Sequence, residues 1–325
     1  MVEPSELYTL RETTRPTSTP VLVVHFTGFM DAGNVGEVMV DTLEERNKRE
    51  VVAEFDVDRL VDMRARRPRM LYERDGWRTF EEPALTLRRM TDAAGTGYLL
   101  LTGPEPDRYW EAFVAAVIEL IDHFSVRLVL TANGIPTAVP HTRPIGHTEH
   151  ATDPELLTGT GRGDLDSVEV PGSVGALLEF RLGESGIPAA GVAVHVPHYL
   201  AGSRYSEGAL YAMERLAAMS GLSLPVAALA EPVMADREAI AAEVAGSEDI
   251  GRVVEALEQG FDEAERQRQL ADAEQEEEVE DSVDLISADE IGAQVEEYLR
   301  RQSGPDDEPG QDQPDRPEGA DGDPT

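Results

Sequence analysis

The chain has 325 residues, 41% hydrophobic and 28% charged, the balance of a folded globular protein. Its net charge of −36 repels phosphate backbones and anionic lipid, so no nucleic-acid or membrane partner is expected. There is no cysteine, which removes disulfides, thiolate nucleophiles, cysteine-ligated zinc and iron–sulfur clusters together.

Residues 1–20 read as an N-terminal arm without an apolar run of signal-peptide length. The β-branched run over 21–26 reads as a buried strand ending at Thr27-Gly28, and 33–48 follows helical spacing. A second strand is expected over 51–57. A hairpin is expected over 69–80, with Asp75-Gly76 as its tight turn. Strands follow at 85–90 and 98–102. The clearest helix covers 107–124, where Trp110, Phe113, Val114, Val117, Ile118, Ile121 and Phe124 form one wide stripe. Further strands are expected at 126–131 and 191–196, with helices at 174–182, 205–219, 237–245 and from 250 onward.

This alternation predicts an α/β fold: a three-layer α/β/α sandwich on a mostly parallel sheet, followed by C-terminal helices and an acidic disordered tail. The expected boundaries are a core at 21–222, helices packed on it at 223–275, and the tail at 276–325 with a short helix at 287–301. The last 64 residues carry 23 acidic and 5 basic side chains, half of the net charge. Residues 304–325 are mostly Pro, Gly, Asp and Gln and contain no Val, Ile, Leu or aromatic residue, so truncation there should leave the fold intact. The uncharged stretch 185–203 is broken by prolines and glycines and is not a membrane span, so a cytoplasmic location is expected. Apolar residues at 210–219 and 222–229 exceed what one sheet face needs, which predicts a homo-oligomer.

Motifs with chemistry are sparse. The loop from Gly28 to Gly33 has the spacing of a phosphate loop, but Asn34 and Val35 stand where Lys and Ser/Thr are needed, and Asp31 puts a negative charge where phosphate would sit. Pro171-Gly-Ser-Val-Gly175 lacks the first glycine of a nucleophile elbow, so Ser173 reads as a helix N-cap. His141, His147 and His150 have loose metal-ligand spacing in a Pro/Gly-rich loop without an accompanying carboxylate pattern. No metal or cofactor is expected from them.

Position is more informative. Gly28, Asp31, Gly33, Asn34, Glu105, Asn133, Gly134, His141, Arg143, His198 and Tyr199 all follow expected strands. In open α/β sheets the carboxyl ends of the strands form the ligand crevice, so these residues make a candidate binding rim. Arg143, between Pro140 and Pro144, offers a fork for a carboxylate or phosphate; a purely structural Arg143–Asp31 ion pair is the competing account.

The segments Gly28-Phe-Met-Asp-Ala-Gly-Asn-Val-Gly36, Phe55-Asp-Val-Asp-Arg-Leu60, Gly103-Pro-Glu-Pro-Asp107, Asn133-Gly-Ile-Pro136, Pro140-His-Thr-Arg-Pro144 and Val196-Pro-His-Tyr199 resemble the proteasome assembly chaperone family, in its actinobacterial branch. The resemblance implies a phosphorylase- or hydrolase-like sandwich and possession of proteasome-related partners, without established catalysis. Proteasome-binding members tend to end in a hydrophobic–Tyr–any tripeptide. Here the sequence ends Gly322-Asp-Pro-Thr325, which argues against docking by that route. Two readings follow: a non-catalytic chaperone working through protein–protein contacts, or a phosphorylase- or hydrolase-like enzyme or binder of an anionic ligand at the rim.

Overall fold

A computed structural model describes residues 2–11, 19–159 and 167–282, with only the backbone for 271–282. The expected helix at 287–301 and the tail at 304–325 lie outside the described residues.

In chain order the strands and helices are β1 (Tyr8–Leu10), β2 (Val21–Thr27), α1 (Val35–Arg46), β3 (Lys48–Phe55), α2 (Val57–Leu60), β4 (Met70–Glu73), β5 (Gly76–Phe80), β6 (Thr86–Thr91), β7 (Gly97–Pro104), α3 (Trp110–Phe124), β8 (Leu128–Thr137), β9 (His147–Ala151), α4 (Val174–Glu184), β10 (Ala189–Pro197), α5 (Ser206–Ser220), α6 (Ala230–Gly246) and α7 (Glu248–Ser282). Eight strands form one sheet in the order β1-β3-β6-β7-β2-β8-β10-β9. The four at its centre, β7, β2, β8 and β10, run parallel, as expected for strands joined by helical crossovers. Antiparallel strands extend both flanks.

Strand alternation builds the three layers. Val21 and Val23 of β2 face a cluster completed by Val38 and Met39 of α1 and Met213 and Leu216 of α5. Leu22 and Val24 face the opposite cluster, completed by Phe113 and Val117 of α3 and Leu178 of α4. A strand buried on both faces reads as an unbroken apolar run, which is why β2 is visible in the sequence.

Several boundaries move. The strand expected at 51–57 starts at Lys48 and stops at Phe55, because Asp56 caps α2 by accepting a hydrogen bond from the Arg59 N–H. The hairpin turns at Arg74-Asp75, one residue earlier than expected, with Arg74 at φ 54°. Helix α6 begins seven residues before Arg237; Pro232 lies in its first turn, where a missing N–H costs little. Helix α7 continues through the Glu-rich residues 276–282, beyond the end of apolar periodicity, since Glu and Gln favour helix without a packed face.

The apolar residues behind the homo-oligomer expectation are covered within the chain: Met213, Leu216, Leu222, Leu224 and Leu229 are buried in the α1/α5/α6 layer. Exposed apolar surface lies elsewhere. Hairpin β4–β5 forms its own two-stranded sheet, and its Met70, Leu71, Tyr72, Trp77 and Phe80 are all exposed. Among the described residues, no helix is long and apolar enough to cross a membrane.

Candidate functional site

The loop after β2 is built by backbone requirements. Gly28 has φ 121°, and a Cβ there would stand 2.8 Å from the Arg66 guanidinium. Gly33 has φ 67° and Asn34 φ 50°, a left-handed pair that turns the chain into α1. The Asp31 carboxylate accepts hydrogen bonds from the N–H groups of Gly36 at 3.0 Å and Glu37 at 3.1 Å, at the start of α1. It also accepts from the N–H of Gly134 on β8 at 3.0 Å. Asp31 therefore fills the helix N-terminus that would otherwise hold an anion. Gly134 is obligatory, since a Cβ there would stand 1.9 Å from the Ala32 carbonyl oxygen.

The rim's cations are similarly committed. Arg66 donates to the Asp107 carboxylate at 2.8 Å and to the Glu105 carbonyl at 2.5 Å. Glu105 is buried and accepts from the Val174 N–H at 2.8 Å, capping α4 together with Ser173, whose hydroxyl accepts from the Ala176 N–H. Arg143 does not meet Asp31. Its Nε and Nη2 each lie 2.7 Å from a carboxylate oxygen of Asp262 on α7, and Nη1 lies 3.4 Å from Glu258. The bidentate bond to Asp262 raises the guanidinium pKa. The Thr142 hydroxyl also donates to Glu258. The competing account is thus right that Arg143 ties its loop down and wrong about the partner.

Tyr199 and His141 form one unit. The Tyr199 hydroxyl accepts from the His141 backbone N–H at 2.9 Å and lies 2.6 Å from His141 Nδ1. Burial lowers the His141 pKa and raises that of Tyr199, which favours the neutral form of both. His198 is exposed, its ring edge-on to Tyr199 at 5.6 Å.

The metal-like histidines do not converge. His147 and His150 lie three residues apart on β9, so they face opposite sides of the sheet. His147 is buried against Glu149 at 3.1 Å and Tyr211 of α5 at 2.9 Å. His150 bonds Glu179 of α4 through Nδ1 at 2.8 Å. Among the described residues, no three His, Asp or Glu side chains are grouped to hold a metal.

Two rim residues, Glu105 and Asn133, line a cleft of about 270 Å³ between the sheet and the start of α4. Sheet register explains its floor. Thr131 on β8, Gly191 on β10 and His150 on β9 form one row across three strands; Asn133, Ala193 and Thr148 form the next. Because Gly191 has no side chain, the His150 ring lies over β10 towards Thr131. A Cβ at Gly191 would meet both His150 Nε2 and Thr131 Oγ1 at 2.4 Å. Thr131, Glu179 and Gly191 are not strand-end residues, so the rim rule misses them. The readable signal is a pair of small residues, Gly191 and Ala193, alternating along a strand beside Thr131 and Asn133.

Comparison with solved structures gives a Mycobacterium tuberculosis protein of unknown function, 37% identical, with TM-score 0.78 over 81% of this chain and 92% of that one. A Corynebacterium glutamicum protein of unknown function is 32% identical, with TM-score 0.74 over 79% and 97%. A proteasome-assembly-chaperone homologue of Mycobacterium tuberculosis shares the fold, at 22% identity and TM-score 0.63 over 72% and 99%. Among curated proteins none matches in sequence. The PAC2 family profile matches residues 25–245, from within β2 through the rim to α6, and the chain accordingly belongs to the PAC2 family.

Proposed function

We propose that the protein is a cytoplasmic, proteasome-assembly-chaperone-like protein that works as a homo-oligomer through protein–protein contacts, and that this contact function involves no catalysis. The observation carrying the reading is hairpin β4–β5. It presents five large apolar side chains to solvent, with Trp77 62% and Tyr72 55% exposed. Pairing of Met70 with Phe80 and of Tyr72 with Trp77 puts four of them on one face, and an exposed apolar face of this kind marks an interaction surface. The two rings meet edge to face at 5.2 Å, so the patch is held ready for a partner. The approach to the hairpin carries Arg64, Arg67 and Arg69, with no acidic residue over 63–72, in a chain of net charge −36. A second copy of this acidic chain is a complementary partner. The proteasome-related role is supported by family membership and by the fold shared with a chaperone homologue. The anionic-ligand alternative loses support, because Asp31 fills the helix N-terminus and both Arg66 and Arg143 are paired.

Sedimentation velocity of the wild type and of a Tyr72→Ser/Trp77→Ser double variant tests the contact. Oligomeric wild type and monomeric variant, with unchanged melting temperature, are expected. A monomeric wild type at micromolar concentration would remove the homo-oligomer, and an oligomeric variant would remove the hairpin as its contact.

A further inference from the structure

We propose that the cleft between Thr131, Asn133 and His150 and the start of α4 binds a small uncharged or cationic organic ligand with an amide-like polar edge and an apolar body. Four observations converge on this class.

The first is space with a built cause. The His150 ring lies over Gly191 and reaches Thr131, so on the sheet side the cleft is floored by Thr131, Asn133 and His150, with Val24 and Phe26 of β2 beside them. The resulting volume of about 270 Å³ suits a metabolite of one ring.

The second is unspent hydrogen bonding. The Thr131 hydroxyl has no hydrogen-bond partner among the described residues, and His150 uses only Nδ1, on Glu179. With Nδ1–H donated to the Glu179 carboxylate, Nε2 keeps its lone pair and is an acceptor. The hydroxyl beside it donates or accepts. The Asn133 carboxamide, one row along, spends Nδ2 on a 3.3 Å bond to the Met30 carbonyl and a 3.5 Å bond to the Gly134 carbonyl. An acceptor next to a donor is the complement of an amide edge.

The third is the apolar wall. Phe29 and Met30 are 46% and 40% exposed at the mouth and Val170 is 65% exposed, so an apolar body would remove surface that now faces water.

The fourth is charge. Glu105 and Glu179 line the cleft, and no Arg or Lys does among the described residues. Arg66 lies 3.9 Å from the Glu105 carboxylate, which leaves Glu179 as the carboxylate that would repel an anion and not a neutral or positive ligand.

Three probes of matched shape and different charge separate these statements: benzamide, benzamidine and benzoate, titrated into the full chain with detection by backbone amide NMR. Benzamide and benzamidine are expected to bind with Kd of order ~1 mM, as fragments of this size do, shifting residues 131–133, 148–150 and 191–193. Benzoate should bind at least about tenfold more weakly. Thr131→Val removes the free hydroxyl at constant shape, and Gly191→Ala pushes the His150 ring into the space; each should weaken benzamide about tenfold. Thr131→Val should melt with the wild type, so loss of binding there cannot be put down to unfolding. Saturable shifts elsewhere, benzoate binding as tightly as benzamide, no saturable shift with any probe, or binding unchanged in both variants would each overturn the proposal. None of these outcomes bears on the hairpin contact, whose readout is sedimentation.

Discussion

Asp31 shows how one side chain settles a question the sequence leaves open. Its place after a strand and before a helix is visible in the sequence, as is the conflict between its charge and a phosphate loop. The structure adds that it binds three N–H groups from two elements, so the loop, α1 and β8 are joined at one carboxylate. Arg143 was less legible, because its partner Asp262 lies 119 residues away on another helix and no local pattern joins them. Gly134 gives a direct prediction: in Gly134→Ala the added Cβ meets a carbonyl oxygen that cannot rotate away, and stability should fall by ~1–3 kcal/mol in urea unfolding. Unchanged stability would mean that the Asp31 loop can move off β8.

His25 gives a pH prediction at the same scale. It is buried on β2 and bonds the Ala132 backbone, while its Nε2 lacks a hydrogen-bond partner and lies 3.8 Å from Asp31. Burial lowers its pKa from 6.5 despite the attraction of Asp31, Glu37 and Asp41. The unfolded chain therefore binds this proton more readily than the folded one. Stability should be full above about pH 6.5 and fall as the pH drops below it. His141, lowered in the same direction, adds to the slope. In His25→Gln the loss of melting temperature between pH 7.5 and pH 5.5 should be smaller than in the wild type. An equal loss would assign the slope to other groups.

At the scale of elements, those with strong periodicity were readable and the short edge strands were not. Helix α3 and strand β2 announce themselves because their apolar residues repeat at 3.6 or fill both faces. Strand β9 does not. Its sequence His147-Thr-Glu-His-Ala151 is polar on both faces, since one face meets Tyr211 of α5 and the other Glu179 of α4 through hydrogen bonds rather than apolar contact. That polarity, together with the surrounding prolines and glycines, made the segment read as a loop with metal-like histidines. The cleft was hidden for the same reason, since its row needs β9 paired to β10. Helix α7 yields the test at this scale. Thr142 and Arg143 tie residues 258–262 to the loop through hydrogen bonds and ion pairs. Arg143→Ala should speed amide hydrogen exchange over 248–264 while leaving the central strands protected. Unaltered exchange there would show that apolar contacts such as buried Val254 are sufficient.

For the whole molecule, charge and apolar surface divide the work. The two buried clusters on either side of the sheet account for the fold. What the fold leaves unspent is an apolar hairpin on an arginine-rich approach and a small cleft without cations, while Asp31, Glu105 and Arg143 of the rim are committed to internal bonds. The central claim, that the chain serves proteasome-related assembly through contacts, is tested most directly by reconstitution. The measurement is the rate at which purified proteasome core subunits from the same organism form complete particles, with and without stoichiometric protein, followed by native gel and peptidase activity. A faster or fuller yield of particles with the protein, retained by the Thr131→Val variant, is expected. Identical rates and yields in its presence and absence would contradict the claim.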